Sequence, residues 1–141
     1  MASVLKVDTI TGVTTAGSIA VTGEGNSTTT NLQQGLAKAW CNVDGTATFD
    51  SSDTEIRDSF NVDSTVDNGT GDVTVSFTNN MGNTNYSVSL TAKQNDSTNA
   101  SGTDTQPASL AQGSYRIITN DASFAKADCA LNFSTAHGDL A

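Results

Sequence analysis

Basic residues are scarce in this sequence, and their scarcity excludes one class of function. Lys and Arg number six against fifteen Asp and Glu, which gives the 141-residue chain a formal net charge of −9. A nucleic-acid-binding surface needs clustered Lys and Arg to neutralise phosphates. We therefore expect no nucleic-acid partner.

Long apolar runs and cysteines are also few. No apolar run approaches the roughly 20 residues that a membrane-spanning helix needs, so we expect no membrane insertion. The polar segment 1–8 predicts no export signal. The chain contains only two cysteines, Cys41 and Cys129, and each lies among apolar residues of a predicted strand. Without export, buried free thiols are favoured over a disulfide, although a disulfide remains open.

Small polar residues dominate what is present. Thr, Ser, Asn and Gly make up 63 of the 141 residues, whereas Leu, Ile, Val and Phe make up 27. The abundant residues are poor helix formers, which disfavours a helical bundle, but β-branched Thr is well suited to sheets. The net charge per residue is too low to favour disorder. We therefore expect a β protein with a thin core, for which oligomerisation is a usual remedy.

The chain falls into two regions by pattern. Residues 1–34 contain two short strand candidates, 4–10 and 18–21, and the first aromatic residue is Trp40. Such a segment cannot bury a core of its own, so we interpret 1–34 as an extended N-terminal docking arm. Residues 35–141 show short alternating strands separated by turns. This spacing predicts an all-β fold, an antiparallel β-sandwich or jelly-roll-like domain.

The alternation also predicts which side chains face the core. In the first strand the small apolar set of Ala37, Ala39, Cys41 and Val43 points inward. Asn68-Gly69 predicts a type I′ hairpin. Residues 93–113 read as a long polar loop. The predicted strands are 36–43, 46–50, 55–62 (with Ile56, Phe60 and Val62 on one face), 64–67, 73–77, 86–92 (with Tyr86, Val88, Leu90 and Ala92 inward), 114–119 and 127–134 (with Cys129, Leu131 and Phe133 inward).

The sequence gives no convincing active site, so we expect a non-enzymatic protein without catalytic, metal-binding or cofactor-binding residues. His137 is the single histidine and lies near the end of the sequence, where catalysis would need it firmly held. Asp67–Asp72 superficially resembles a calcium loop, but a hairpin explains the same residues. Asp50 and Asp53 leave open a calcium site or a pair of carboxylates for glycoside hydrolysis.

Four stretches of the chain carry a resemblance to a known family. Residues 35–46, GLAKAWCNVDGT, resemble the GLAKAWVNFDGTG opening of a domain found at the C-terminus of bacteriophage tail-fibre-like proteins. The likeness continues through 56–62, 65–77 and 81–88. The N-terminal LKVDTI and GSIAVTGEG motifs look like the start of small virion proteins of marine phages, especially cyanophages. Cys41 stands where the family usually has Val.

The resemblance implies a virion structural protein that is β-rich and homotrimeric. The chain lacks the long shaft of a fibre, so a compact knob or capsid-decorating protein is the expected form. Its partners would be other virion proteins of the capsid or tail. The alternative is a short tail fibre or receptor-binding module, in which exposed loops such as 93–113 contact host surface glycans. In that case Trp40, Tyr86 and Tyr115 are candidate contacts, although core packing is the favoured role for all three.

Overall fold

The computed structural model describes residues 5–11, 19–22, 29–50, 54–93, 104–121 and 123–139. Their secondary structure is all-β, with ten strands and one helix of four residues. The chain divides into two compact units, Met1–Leu36 and Ala37–Ala141. We call these the N-terminal unit and the sandwich unit.

The N-terminal unit contains a two-stranded antiparallel sheet. β1 (Ala20–Thr22) pairs with β2 (Thr29–Asn31), and the helix α1 (Leu32–Gly35) follows directly. The Leu32 amide donates a hydrogen bond of 2.8 Å to the Ile19 carbonyl. Residues 5–11 pair with no strand, so the strand predicted at 4–10 is wrong over its described part. The second predicted strand corresponds to β1.

Two four-stranded antiparallel sheets form the sandwich unit, and this confirms the predicted fold class. The first sheet has the order β4 (Ile56–Phe60), β3 (Ala39–Val43), β10 (Leu131–His137) and β7 (Ser87–Lys93). The second sheet has the order β5 (Val62–Asp67), β6 (Asp72–Phe77), β9 (Ser114–Asn120) and β8 (Asp104–Ala111). The inner faces of the two sheets enclose the core.

Alternation along the strands builds the core. Ala39, Cys41 and Val43 are buried as predicted, and the side chains at 88, 90 and 92 of β7 are half-buried between exposed neighbours. Phe77 lies at the aromatic centre of the core, with its ring centroid 5.8 Å from that of Tyr86 and 5.5 Å from that of Tyr115. Apart from the three aromatic residues, many of the buried side chains are small, and the core is therefore thin. The buried set consists of Ala39, Cys41, Val43, Val73, Val75, Phe77, Met81, Tyr86, Tyr115, Ile117 and Ala136.

A single residue carries the chain from one sheet to the other. Asn61 separates β4 from β5 and has a φ of 57°, which Asn tolerates better than most residues. Its Nδ2 donates hydrogen bonds of 3.0 Å to the carbonyls of Lys38 and Asn79. Its Oδ1 accepts one of 2.7 Å from the Asn79 amide. The strand predicted at 55–62 is therefore two strands in different sheets.

The hairpin prediction is right for the pairing and wrong for the turn type. β5 and β6 pair antiparallel, from Thr65 opposite Val75 to Asp67 opposite Val73. A type I′ turn at Asn68-Gly69 requires positive φ at both residues. The positive φ values fall instead on Gly69 and Gly71, at 116° and 63°. The loop is therefore longer than a two-residue turn.

Three other predictions are wrong. Residues 104–111 of the predicted 93–113 loop form β8, and Pro107 is tolerated there because β8 is an edge strand. Residues 46–50 form no strand. The last strand begins at 131 and its inward side chains are Asn132, Ser134 and Ala136, not Leu131 and Phe133. Cys129 is buried as expected but precedes the strand.

Candidate interaction surface

The outer face of the first sheet carries three exposed aromatic side chains. Trp40, Phe60 and Phe133 are 37%, 54% and 43% exposed. Trp40 lies directly opposite Phe60 on the neighbouring strand, and Phe133 lies opposite Asn42, two residues along from Trp40. Diagonal neighbours of this kind remain within reach of aromatic side chains. We call this cluster of three rings the aromatic face.

Each of these rings faces outward because its neighbours in the strand face inward. Trp40 lies between the buried Ala39 and Cys41, and Phe133 lies between the buried Asn132 and Ser134. Side chains alternate between the two faces of a strand. Two of the three inward positions of β10 are occupied by polar residues and the third by Ala136, and the large apolar ring lies outside.

Hydroxyl groups and two opposite charges surround the aromatic face. The exposed side chains of β7 on this side are Ser87, Ser89, Thr91 and Lys93. Asp58 is exposed on β4, at the other edge of the sheet. The face is therefore apolar at its centre and polar at its two edges.

The outer face of the second sheet is different, because it is closed by ion pairs. The buried Asp72 carboxylate accepts a hydrogen bond of 2.9 Å from Arg116 Nε and another of 2.6 Å from Lys126 Nζ, and it also pairs with Arg116 Nη2. Burial alone would raise the pKa of Asp72, but the hydrogen bonds and charges of Arg116 and Lys126 outweigh it and lower the pKa. We call this surface the polar face.

Three polar side chains connect the two sheets inside the core. The Tyr115 hydroxyl lies 2.6 Å from Ser134 Oγ, which lies 3.0 Å from Cys41 Sγ. Burial raises the pKa of the Tyr115 hydroxyl above its usual value and also raises the pKa of the Cys41 thiol. A raised thiol pKa disfavours the nucleophilic thiolate. This group therefore acts as a structural link between the sheets.

Glu55 is a buried carboxylate at the start of β4. It is 1% exposed, and its Oε1 accepts a hydrogen bond of 2.6 Å from the Thr65 hydroxyl on β5. Among the described residues its Oε2 has no hydrogen-bond partner. The contact joins the residue that precedes β4 in one sheet to β5 in the other.

The residues that the sequence singled out for chemistry are dispersed. Asp67 accepts a hydrogen bond of 2.7 Å from the Gly69 amide, so its carboxylate supports the turn. His137 ends β10 opposite Ser87. Asp50 is exposed, and Asp53 lies outside the described residues. Within the described ranges, no group of three or more His, Cys, Asp or Glu side chains is placed to hold a metal ion.

The tyrosines named as candidate contacts are both part of the core. Tyr115 links the sheets, and the Tyr86 hydroxyl lies 2.9 Å from the Ala111 carbonyl and 2.8 Å from the Ser114 carbonyl. Trp40, in contrast, belongs to the aromatic face. Sequence reasoning missed Phe60 and Phe133 as surface residues. Phe133 and Ala136 are three residues apart, so their side chains lie on opposite faces of the strand. A strand that turns the small Ala136 inward must turn Phe133 outward, and this spacing is the signal that could have found Phe133.

Comparison with known proteins identifies no relative, because no family model, curated protein or solved structure matches this chain. Over the described ranges, the chain forms no helix that is long and apolar enough to cross a membrane.

Proposed function

We propose that this chain is a non-enzymatic structural protein of a bacteriophage particle, an exposed accessory protein that decorates or stabilises the capsid. The family resemblance of roughly residues 35–92 supports the class of protein. The observation that carries the proposal is the exposure of apolar side chains in the N-terminal unit. Leu5, Val7, Ile10 and Val21 are each more than half exposed.

Exposed apolar side chains in this number need a covering surface. Burying each of them in an interface would contribute about 1.5–3 kcal/mol, a range that applies to complete burial. A partner that binds only the folded chain also stabilises it by mass action. The N-terminal unit therefore fits a docking element for other virion proteins, and the sandwich unit fits the part that is displayed.

The displayed unit is expected to be a homotrimer. The core that it encloses is thin, and a domain of this size gains relatively little from its own buried surface. Assembly adds buried apolar surface that the single chain cannot provide. The acidic net charge keeps separate assemblies apart in solution.

Antibody labelling of the particle tests this proposal. Antiserum raised against the recombinant chain, with gold-labelled secondary antibody, is applied to purified particles of the phage that encodes it. We expect label distributed over the capsid. Label confined to the tail would overturn the decoration role and favour the short tail fibre or receptor-binding module. Particles without label would overturn both.

A matched pair of variants tests the docking role of the N-terminal unit. Val7→Asp with Ile10→Asp removes exposed apolar side chains from this unit, and Phe124→Ser removes an exposed ring from the sandwich unit. When the recombinant proteins are added to particles that lack the chain, we expect the first variant to bind at least tenfold less. The second should bind like the unmodified chain. Equal binding by all three proteins would contradict the role of the N-terminal unit.

A further inference from the structure

We propose that Asn68 is a site of spontaneous deamidation, and that the folded loop between β5 and β6 holds this reaction back. The loop comprises residues 68–71, between Asp67 at the end of β5 and Asp72 at the start of β6. This chemistry belongs to the chain itself and does not depend on the proposed function.

The sequence places one reactive pair of residues in this loop. The chain contains thirteen asparagines, and Asn68 is the only one that is followed by glycine. Deamidation begins when the backbone nitrogen of the next residue attacks the side-chain carbonyl carbon of the asparagine. A glycine at that position leaves the nitrogen unshielded and gives the backbone the freedom that the attack needs. We therefore expect Asn68 to be the most reactive asparagine once the backbone is free to move.

The reaction needs water as its one further reactant. The Gly69 nitrogen loses its proton and forms a bond to Cγ of Asn68, and the bond from Cγ to Nδ2 breaks. Nδ2 takes up one proton and leaves as ammonia, so the proton that the Gly69 nitrogen lost is balanced. The product is a succinimide ring. Water then adds to one of the two ring carbonyls and opens the ring, which leaves aspartate or isoaspartate at this position.

The attacking nitrogen is occupied in the folded loop. The Gly69 amide donates a hydrogen bond of 2.7 Å to Oδ1 of Asp67. A carboxylate that accepts this hydrogen bond favours the protonated amide, because loss of the proton would place two negative charges side by side. The attacking form of the Gly69 nitrogen is therefore disfavoured as long as this contact lasts.

The side chain of Asn68 is held as well. Its Nδ2 donates a hydrogen bond of 2.8 Å to Oγ1 of Thr74 and another of 3.3 Å to Oδ1 of Asp72, both on β6. Attack requires the carboxamide and the Gly69 nitrogen to take up a specific mutual geometry. The contacts with the neighbouring strand fix the carboxamide in place, so it is not free to search for that geometry.

Backbone hydrogen bonds close the loop around both reacting groups. The Asn68 amide donates a hydrogen bond of 2.8 Å to the Asp72 carbonyl, and the Asp72 amide donates one of 3.0 Å to the Gly69 carbonyl. Asp72 is itself held by Arg116 and Lys126 on the polar face. The loop must open before the ring can form, so the rate in the folded chain depends on the population of the open loop.

The product would change the charge of the loop. Deamidation replaces Nδ2, a donor that lies 3.3 Å from Oδ1 of Asp72, by a carboxylate oxygen. Two carboxylates in contact repel each other. Deamidation should therefore weaken this end of the hairpin, and refolding cannot reverse the change because the ammonia is lost.

Peptide mass spectrometry over time tests the inference by measuring deamidation at each asparagine of the full chain. One sample is kept folded and a second is unfolded in guanidinium chloride, at the same neutral pH and temperature. In the unfolded sample we expect Asn68 to be the first asparagine modified. In the folded sample it should react at least tenfold more slowly. A tenfold change corresponds to about 1.4 kcal/mol, no more than a single hydrogen bond to a charged group contributes.

Two results of this first measurement would overturn the inference. One is an equal rate at Asn68 in the folded and unfolded samples, which would mean that the loop gives no protection. The other is faster modification of a different asparagine in the unfolded sample, which would mean that Asn68 is not the reactive site.

A variant of the leaving-group side tests the contact with β6. Thr74→Val removes the hydroxyl that accepts the shorter hydrogen bond from Nδ2 of Asn68. Ser76→Ala removes a hydroxyl two residues along the same strand and is the matched control. Each folded rate is divided by the unfolded rate of the same variant, which cancels any effect of the substitution on the chemistry itself. We expect this ratio to rise at least threefold for Thr74→Val and to stay unchanged for Ser76→Ala.

A second variant tests the attacking side, and it also serves if the first does not fold. Asp67→Ala removes the acceptor of the Gly69 amide, and Asp63→Ala on the same strand is its control. The ratio should again rise at least threefold for Asp67→Ala alone. Circular dichroism checks that each variant is folded. If the folded variants keep the ratio of the unmodified chain, these hydrogen bonds do not hold the reaction back and the inference is overturned.

Gly69→Ala tests the chemistry without the fold. In guanidinium chloride the added Cβ shields the attacking nitrogen, so deamidation at Asn68 should be at least tenfold slower than in the unmodified chain. An unchanged rate would show that the Gly69 nitrogen is not the attacking group, and it would overturn the inference independently of the folded loop.

Discussion

The two outer faces of the sandwich follow the same strand alternation but carry opposite chemistry. On the aromatic face, Trp40 and Phe60 lie side by side and exposed. On the polar face, the outward residues of β6 include Thr74 and Ser76, and Asp72 is covered by Arg116 and Lys126. One face is therefore closed by contacts within the chain, and the other presents apolar rings to the surroundings.

This difference separates folding from assembly. A buried ion-pair group contributes to the unfolding free energy of the chain itself, because removing one partner leaves the others unpaired. Exposed rings contribute little to that free energy, but they provide most of the energy of an interface when they are buried against a partner. We therefore expect substitutions on the polar face to change stability, and substitutions on the aromatic face to change association.

The largest expected effect is at the end of the polar face, at Gly71. Its φ is +63°, and an added Cβ would lie 2.4 Å from the Thr119 carbonyl oxygen and 2.7 Å from the Ala127 amide nitrogen. Backbone atoms cannot move aside as a flexible side chain can. Gly71→Ala should therefore lower the free energy of unfolding by about 3 kcal/mol, measured by urea denaturation.

Gly69→Ala is the matched control in the same loop. Gly69 also has a positive φ, of +116°, but nothing lies within 4 Å of an added Cβ. It should lose only about 1 kcal/mol, the part due to backbone strain. Equal losses in the two variants would mean that the packing of this loop against Thr119 and Ala127 is unimportant.

The next largest effect concerns the charge at the centre of the polar face. Asp72→Asn keeps the shape of the side chain but removes the negative charge that Arg116 and Lys126 contact. Both cations are substantially exposed to solvent, so screening reduces the loss, and we expect about 1–2 kcal/mol at neutral pH. Urea denaturation measures it, with Asp63→Asn, an exposed β5 position, as the control.

The same pair of proteins gives a test by pH. The pKa of Asp72 is lowered in the folded state from its usual 3.8, so its contribution is fully present above about pH 4 and is lost as the pH falls through that value and below. The unmodified chain should therefore lose stability in acid more steeply than Asp72→Asn. Parallel pH profiles would contradict the assigned ion pairs.

The sandwich could be predicted from the sequence because the inward sets of β3 and β7 are apolar. The alternation of Ala39, Cys41 and Val43 is visible without any structure. β10 could not be read in this way, because Asn132 and Ser134 face the core. Asn132 Nδ2 donates a hydrogen bond to the Val43 carbonyl, 89 residues away, and Ser134 Oγ lies 3.0 Å from Cys41 Sγ, 93 residues away. A search for apolar residues therefore placed Phe133 inside.

The aromatic face could not be predicted from the sequence, because its rings were assigned by local periodicity alone. Phe133 was assigned to the core, and Phe60 was assigned to a continuous strand that in fact crosses between the sheets at Asn61. That crossing depends on hydrogen bonds from Asn61 to Lys38 and Asn79, which are distant in sequence. Local periodicity carries no information on such contacts.

A smaller effect is expected where the two sheets meet, at Tyr115. Tyr115→Phe removes the hydroxyl, but Ser134 Oγ and Cys41 Sγ remain 3.0 Å apart and satisfy each other. The loss should be about 1 kcal/mol in urea at neutral pH. Because burial raises the pKa of Tyr115 above its usual 10.0, the unmodified chain should also lose stability as the pH rises above about 10. Tyr115→Phe should lose less over that range, and an identical alkaline profile would contradict the burial of the hydroxyl.

The smallest effect on stability is expected on the aromatic face, and it provides the sharpest comparison of the two faces. Phe60 and Val66 are both exposed residues on edge strands, one in each sheet. Threonine suits an exposed strand position. At a protein concentration low enough to separate the copies, Phe60→Thr and Val66→Thr should each change the free energy of unfolding by no more than about 0.5 kcal/mol.

At high concentration the two variants should differ in apparent stability, because association adds to apparent stability by mass action. The melting temperature of the unmodified chain and of Val66→Thr should then rise with concentration, whereas that of Phe60→Thr should rise less. If the melting temperatures of all three proteins depend equally on concentration, Phe60 takes no part in the association, and the chemical difference between the two faces has no consequence for assembly.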